Sequence, residues 1–194
     1  MLNAAMTDRS FLFLLASTRS AGNTEVLARH AAAGLPADVE QQWLRLDELV
    51  LPPFRDIRHA GDGRYPTPEG PERLLLEATL AATDLVIASP VYWYSVSAAA
   101  KLYLDYWAGW LRVPGADFKA RMRGKSLWAI GAHTSEDHAA IEPFQETLRL
   151  SAEYLGMRWR GALLAYANRP GQVLDDKPAL ARADRFFETV AGPA

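Results

Sequence analysis

Ser10 to Ala16 is an unbroken apolar run of Phe and Leu that closes on polar turn residues. This is the pattern of a parallel strand covered on both faces. A helix of good formers follows from Glu25 to Ala33, stopped by Gly34 and Pro36, and Val39 to Leu46 reads as a second strand. Pro71 to Thr83 is the next helix, with its proline suited to the first turn. The third strand runs from Asp84 to Ser89, and an amphipathic helix spans Ser97 to Leu111. Lys125 to Gly131 is a fourth strand, and the helix after it sets Ile141, Phe144, Leu148 and Leu155 on one face. Met157 to Tyr166 is a fifth strand, and Lys177 to Val190 a last helix with Leu180, Ala183, Phe187 and Val190 in one stripe. Strands and helices alternate five times without an internal repeat, which points to an α/β fold with a parallel sheet covered on both sides. Right-handed crossovers leave few topologies, and the order 2-1-3-4-5 puts a switch point between the first and third strands.

Two stretches fall outside this alternation. Residues 47–70 carry Pro52, Pro53, Pro66 and Pro68 with Gly61, Gly63 and Gly70, a length without periodicity that suits a functional lid or a mobile loop. Residues 115–124 read as a basic connector. The chain of 194 residues suits one domain, residues 10–194, with residues 1–9 as a flexible leader. A net charge of −2 gives no footprint for nucleic acid and no basic face for a membrane. The absence of cysteine excludes thiol chemistry and disulfides. The apolar run Phe11 to Leu15 is too short for a signal segment, so a cytoplasmic location is expected.

The exits of the first and third strands are chemically distinctive. Ser89-Pro90-Val91-Tyr92-Trp93-Tyr94-Ser95 places three adjacent rings in a tight strand-to-helix loop. Successive side chains in an extended loop point different ways, so one core cannot take all three, and at least one ring is expected to line a cleft for a flat ligand. The alternative is that all three are core or interface residues. Ser17-Thr18-Arg19-Ser20-Ala21-Gly22-Asn23-Thr24 offers hydroxyls, a guanidinium fork, a glycine for the turn and the start of a helix. These are the donors a phosphate dianion needs. The loop lacks the spacing of a Walker loop and the G-x-G-x-x-G of a dinucleotide fold. The alternative here is a plain helix cap with a solvated Arg19. Topology brings both loops to one sheet edge, as a flavin mononucleotide would require.

Ala16-Ser17-Thr18-Arg19-Ser20-Ala21-Gly22-Asn23-Thr24 resembles the G-S-x-R-x-x-G-N-T loop of the flavodoxin-like NAD(P)H-dependent FMN reductases and quinone oxidoreductases, with Ala16 in place of the first glycine. Ser89 to Ser97 is similar to the family's S-P-x-Y-x-x-S-x-(P/S) loop, Lys101 to Asp105 to its K-x-x-x-D, and Gly131-Ala132-His133-Thr134 falls at its third flavin loop. The resemblance covers roughly residues 10–165. It implies a flavodoxin-like three-layer sandwich and a noncovalent FMN. It also implies hydride transfer from NAD(P)H through that FMN to a quinone, free flavin or similar small acceptor. By motif match, Ser17, Arg19, Gly22, Asn23 and Thr24 would hold the phosphate. Pro90, Val91, Tyr92, Trp93 and Tyr94 would hold the ring system, with Gly131, Ala132 and His133 at its pyrimidine end. A homodimer or homotetramer is implied as well.

The flavin carries the redox chemistry itself, so no side-chain nucleophile is needed. His133 is the one side chain with a conceivable catalytic role, against the alternative of an exposed loop histidine. His133 and His138 with Glu136 and Asp137 match no metal-ligand signature, and no metal is expected. Asp47 reads as a surface turn rather than a ribose-binding acid. Arg55, Arg58 and Arg64 read as solvated rather than as contacts to a 2′-phosphate. Tyr103, Tyr106, Trp107 and Trp110 form a helical stripe that suits either the core or a dimer contact. A non-enzymatic electron carrier like flavodoxin is the alternative function, and the near-neutral charge argues against it.

Overall fold

A computed structural model describes residues 9–137 and 139–188. Five parallel strands form one sheet in the order β2-β1-β3-β4-β5: β1 (Ser10–Leu15), β2 (Glu40–Arg45), β3 (Asp84–Ala88), β4 (Ser126–His133) and β5 (Arg158–Tyr166). The helices are α1 (Asn23–Ala32), α2 (Gly70–Ala81), α3 (Ala98–Trp110), α4 (Phe118–Met122), α5 (Glu142–Tyr154) and α6 (Lys177–Ala183). This is the doubly wound parallel sheet that the alternation of elements predicts, in the flavodoxin-like form that the resemblance implies. The expected leader lies outside the described residues except for Arg9. No helix among the described residues is long and apolar enough to cross a membrane.

The period of two along each strand divides the core in two. Leu12 and Leu14 of β1, Leu85 and Ile87 of β3, and Leu127 and Ala129 of β4 face α2, α3 and α5, where they meet Leu75, Tyr103, Trp107, Phe144 and Leu148. Phe11, Phe13 and Leu15, with Val86, Ala88, Trp128 and Ile130, face α1 and α6 and pack on Leu27, Ala28, Ala31, Ala179, Ala183 and Phe187. The two edge strands depart from double cover: in β5 only Leu163 and Ala165 are buried, and β2 is covered less still. Its first three residues are exposed, and Trp43 is held by stacking on Phe13 at 4.0 Å.

Tyr103, Tyr106, Trp107 and Trp110 are all buried, with edge-on contacts at 5.4 Å between Tyr103 and Trp107 and 5.9 Å between Tyr103 and Trp110. The stripe is core, not a dimer contact. Residues 47–69 form neither helix nor strand, yet they are folded onto α3 rather than loose. Tyr106 Oη donates to Pro52 O at 2.9 Å, and the Tyr65 N–H donates to Arg112 O at 3.3 Å. Tyr65 Oη receives the Ile57 amide at 2.9 Å, and the Tyr65 ring stacks on Phe54. Gly109 makes the room: a Cβ there would lie 3.0 Å from Tyr65 Cδ1. Two of the loop's arginines are paired locally, Arg58 with Asp56 and Arg64 with Asp62.

Most element ends lie within two residues of the sequence expectation, and three differences bear on the fold or the site. The 115–124 connector contains α4, nucleated by Phe118 and Met122, one helical turn apart and both buried. Strand β4 runs on through Ala132 and His133 because the ladder continues: Val91 N donates to Ala132 O at 3.0 Å and Ala167 N to His133 O at 2.8 Å. Helix α6 ends at Ala183, after which the chain tightens into turns with Phe186 N bonded to Ala183 O. Val190 lies outside the described residues.

Candidate functional site

The exits of β1 and β3 are fastened by two buried serines. Ser97, the N-cap of α3, donates its hydroxyl to Ala16 O at 2.7 Å and accepts the Ala100 amide at 3.3 Å. Its own amide donates to Ser89 Oγ at 2.8 Å, and Ser89 Oγ donates in turn to Pro90 O at 2.9 Å. One cap thus ties the entry of the 17–24 loop to the aromatic loop. Buried hydroxyls placed this way satisfy backbone groups that would otherwise be stranded.

Beyond Val91 the chain makes a two-residue hairpin. Tyr92 and Ser95 exchange both backbone hydrogen bonds, at 3.0 and 3.1 Å, while Trp93 and Tyr94 take φ of 49° and 66°. Two successive left-handed residues normally call for Asn-Gly. Two aromatic residues in that conformation carry backbone strain of roughly 1–2 kcal/mol each. Strain of this kind collects at functional sites. None of the three rings is core: Tyr92 is 54%, Trp93 92% and Tyr94 55% exposed.

The 17–24 loop is arranged differently from the sequence reading in two details. Gly22 has an ordinary φ of −69°, and the left-handed residue is Ala21, with φ 52°. Gly22 is needed for space instead, since a Cβ there would lie 3.2 Å from Arg19 Cβ and 3.3 Å from Arg19 O. The Asn23 side chain is already engaged, donating to Arg169 O at 2.8 Å and accepting the Val173 amide at 3.4 Å. It clamps the β5 exit to α1, so what Asn23 offers an anion is its backbone amide in the first turn, where no carbonyl four residues back within the helix can take it. Ser17 Oγ accepts the Arg19 amide at 3.2 Å, and Thr24 is buried. Glu25, one residue on, is also buried. Burial raises its carboxyl, but hydrogen bonds from Arg29 and the Ala21 amide and the charges of Arg29 and Arg45 outweigh this and hold it below the usual carboxylate range.

Of the third segment, Gly131 lies inside β4 against Phe144 and Leu164, where a Cβ would come within 2.9 Å of Leu164 Cδ2. It provides room and does not line the cleft. His133 is not an exposed loop residue: it is 5% exposed, donates from Nδ1 to Ser135 O at 3.0 Å, and meets Tyr166 edge-on at 6.3 Å.

These elements enclose two cavities at the carboxyl edge of the sheet. One, of about 190 Å³, is lined by Ser17, Arg19, Gly22, Asn23, Thr24, Pro90, Val91, Tyr92, Ala132, His133 and Thr134, with Ala167 and Asn168 from the β5 exit. The other, of about 380 Å³, is lined by Val91, Trp93, Tyr94, His133, Thr134, Ser135 and Ile141. Val91, His133 and Thr134 are common to both. The first holds hydroxyls, a guanidinium and a helix start; the second has ring walls. A larger cavity beyond His133 is lined by Glu136, Asp175 and Asp176, and its one guanidinium, Arg182, is bonded to Leu164 O. It suits neither an anion nor a flat ring. Ala167 and Asn168 escaped the sequence reading, although the strand order sets the β5 exit directly beside that of β4.

Comparison with known proteins gives the family and the fold. The family model described as NADPH-dependent FMN reductase matches residues 10–180. A Bacillus subtilis (strain 168) protein, YwqN, provisionally named an NAD(P)H-dependent FMN-containing oxidoreductase, is 33% identical over 172 residues, covering 88% of this chain and 92% of that protein. Among solved structures, the Trp repressor binding protein from Bacillus subtilis superposes with a TM-score of 0.71 at 27% identity, over 92% of this chain and 97% of that one. The fold is also that of an FMN-dependent NADH-azoreductase from Bacillus anthracis str. Ames Ancestor in complex with FMN, with a TM-score of 0.64 at 14% identity over 91% and 96% of the two chains.

Proposed function

Because this chain belongs to the NADPH-dependent FMN reductase family, whose cofactor is FMN and whose reductant is NAD(P)H, we propose that it passes electrons from NAD(P)H to a quinone, free flavin or similar flat acceptor. The observation that carries this reading is the pair of cavities sharing Val91, His133 and Thr134, one fitted to a phosphate and the other to a planar ring.

The residues fit FMN. The Ser17 hydroxyl, the Arg19 fork and the amides at the start of α1 would hold the phosphate. Val91 and the Tyr92–Tyr94 turn would wall the ring system, and Ala132, His133 and Thr134 would face its pyrimidine edge. When bound, FMN supplies the redox chemistry, taking a hydride from NAD(P)H and giving electrons to the acceptor. The protein orients the cofactor and controls access to it. The His133 Nδ1 proton is committed to Ser135 O, which fixes the imidazole in the wall. Exposed Trp93 and Tyr94 leave the ring cavity open on one side, so dinucleotide and acceptor would reach the bound flavin there in turn.

Steady-state oxidation of NADPH and NADH with 1,4-naphthoquinone, free FMN or ferricyanide tests this. Parallel double-reciprocal lines are expected, since the first product leaves before the acceptor binds. Absence of turnover with every acceptor, in protein loaded with FMN, would leave the carrier reading in place. A homodimer or homotetramer is also proposed, on a different surface from the buried α3 stripe. Exposed Leu150 and Tyr154 of α5 flank half-buried Leu104 and Leu111 along the α3–α5 groove. Light scattering should give twice or four times 21.4 kDa; a monomer contradicts it. Reliance on NAD(P)H supports the cytoplasmic expectation, because that is where the dinucleotide is kept reduced.

A further inference from the structure

The parallel register sets Arg45, the last residue of β2, beside Leu15, two residues before Ser17. Its guanidinium reaches the 17–24 loop from outside the motif. Arg45 Nη2 donates to Ser17 O at 2.9 Å, and Nη1 donates to Glu25 Oε2 at 2.9 Å. The same Glu25 oxygen accepts the Ala21 amide at 3.0 Å, where φ is 52°. Glu25 Oε1 takes Arg29 Nε and Nη2 at 2.9 and 2.8 Å. Neither Arg45 nor Glu25 lines the phosphate-type cavity, and both side chains are largely buried, 18% and 9% exposed.

We infer that Arg45 is a positioning residue for the phosphate loop, its fork tying the Ser17 carbonyl to the Glu25 carboxylate that holds Ala21 in its left-handed turn. The inference rests on the reading of residues 17–24 as the phosphate site. Two physical arguments support it. First, a non-glycine residue with positive φ persists only where its surroundings over-determine it, and here the Ala21 amide is caught by a carboxylate that is itself anchored. Second, a buried carboxylate next to a site for a dianion repels the ligand unless cations neutralise it. Arg29 and Arg45 do so for Glu25, and Arg45 also pairs with Asp47 at 3.4 Å and Glu48 at 3.1 Å, so both cations are occupied. The phosphate is left to Arg19. A fork is required rather than a point charge, because two acceptors on different elements must be held at once.

The role predicts a loss confined to the phosphate end. FMN and riboflavin differ only in the phosphate, so the ratio of their dissociation constants, read by quenching of flavin fluorescence, separates loop positioning from general damage. Arg45→Met should weaken FMN by about tenfold or more and riboflavin by less than about threefold. Adding Glu25→Gln to Arg45→Met should recover at least about threefold for FMN, since it removes a buried negative charge that Arg29 alone is then left to balance. Arg45→Lys, which keeps the charge and protects the test if Arg45→Met fails to fold, should shift the ratio in the same direction by a smaller factor. Equal weakening of both flavins, or a ratio unchanged in both Arg45 variants, overturns the role assigned to Arg45. A wild-type protein that binds FMN no better than riboflavin overturns the phosphate reading itself.

Discussion

Replacing Arg19 by alanine is expected to weaken FMN binding 10- to 100-fold while leaving the melting temperature unchanged. Three arginines surround the 17–24 loop, and the structure separates their duties. Arg29 and Arg45 are bound to Glu25, whereas the Arg19 guanidinium makes no hydrogen bond or ion pair among the described residues and lines the phosphate-type cavity. An exposed, unengaged side chain contributes little to folding, so its loss is felt only by the ligand. A charge-assisted hydrogen bond to phosphate contributes about 1.5–3 kcal/mol, which corresponds to the stated range. Riboflavin should be nearly indifferent to the change. A fluorescence titration giving the same FMN affinity in both proteins would remove Arg19 from the site.

The second large effect belongs to the opposite edge of the sheet. Asp84→Ala should cost about 3 kcal/mol or more of folding stability, measured by chemical denaturation, without altering flavin affinity. Asp84 opens β3 and is buried. It accepts Arg9 Nε and Nη2 at 3.1 and 2.8 Å, Trp128 Nε1 at 2.8 Å and the Thr83 hydroxyl at 2.8 Å. Removing the carboxylate strands an indole N–H and a guanidinium that also lies 4.6 Å over the Phe11 ring. Burial raises the Asp84 carboxyl, but the hydrogen bonds from Arg9, Trp128 and Thr83 and the Arg9 charge bring it below its ordinary 3.8. A depressed carboxylate contributes stability that is fully present above the unfolded value and lost as pH falls through the lower folded one. The wild type should therefore lose stability as pH drops below about 4. Asp84→Asn should show less of that fall, and an identical acid profile in the two proteins would contradict this.

The sheet was legible because each strand is an apolar run ended by turn residues, and alternation with helices leaves the order 2-1-3-4-5 as a natural choice. Helix α4 was hidden because five residues in a basic stretch give only one apolar pair, Phe118 and Met122, to read. The extension of β4 through His133 depends on partners in the β3 and β5 exits, which local spacing does not encode. The 47–69 segment has no periodicity, so its docking through Tyr65, Phe54 and Pro52 against α3 leaves no mark in the sequence. At the candidate site, residue types single out the two loops but not the use of each atom. Nothing in the motif says that Asn23 spends its side chain on Arg169 and Val173, or that Gly22 serves space rather than turn. Arg45 was invisible for a plainer reason: it acts across 20 and 28 residues of chain, through a strand pairing that had first to be known.

The visible absorption spectrum of the purified protein with one equivalent of FMN, followed by NADPH and then NADH under anaerobic conditions, tests the central claim most directly. A perturbed, bound-flavin spectrum whose band near the visible maximum disappears on adding either dinucleotide is the predicted result. A spectrum identical to that of free FMN, with no change in flavin fluorescence, would show that the two cavities do not hold this cofactor and would contradict the account.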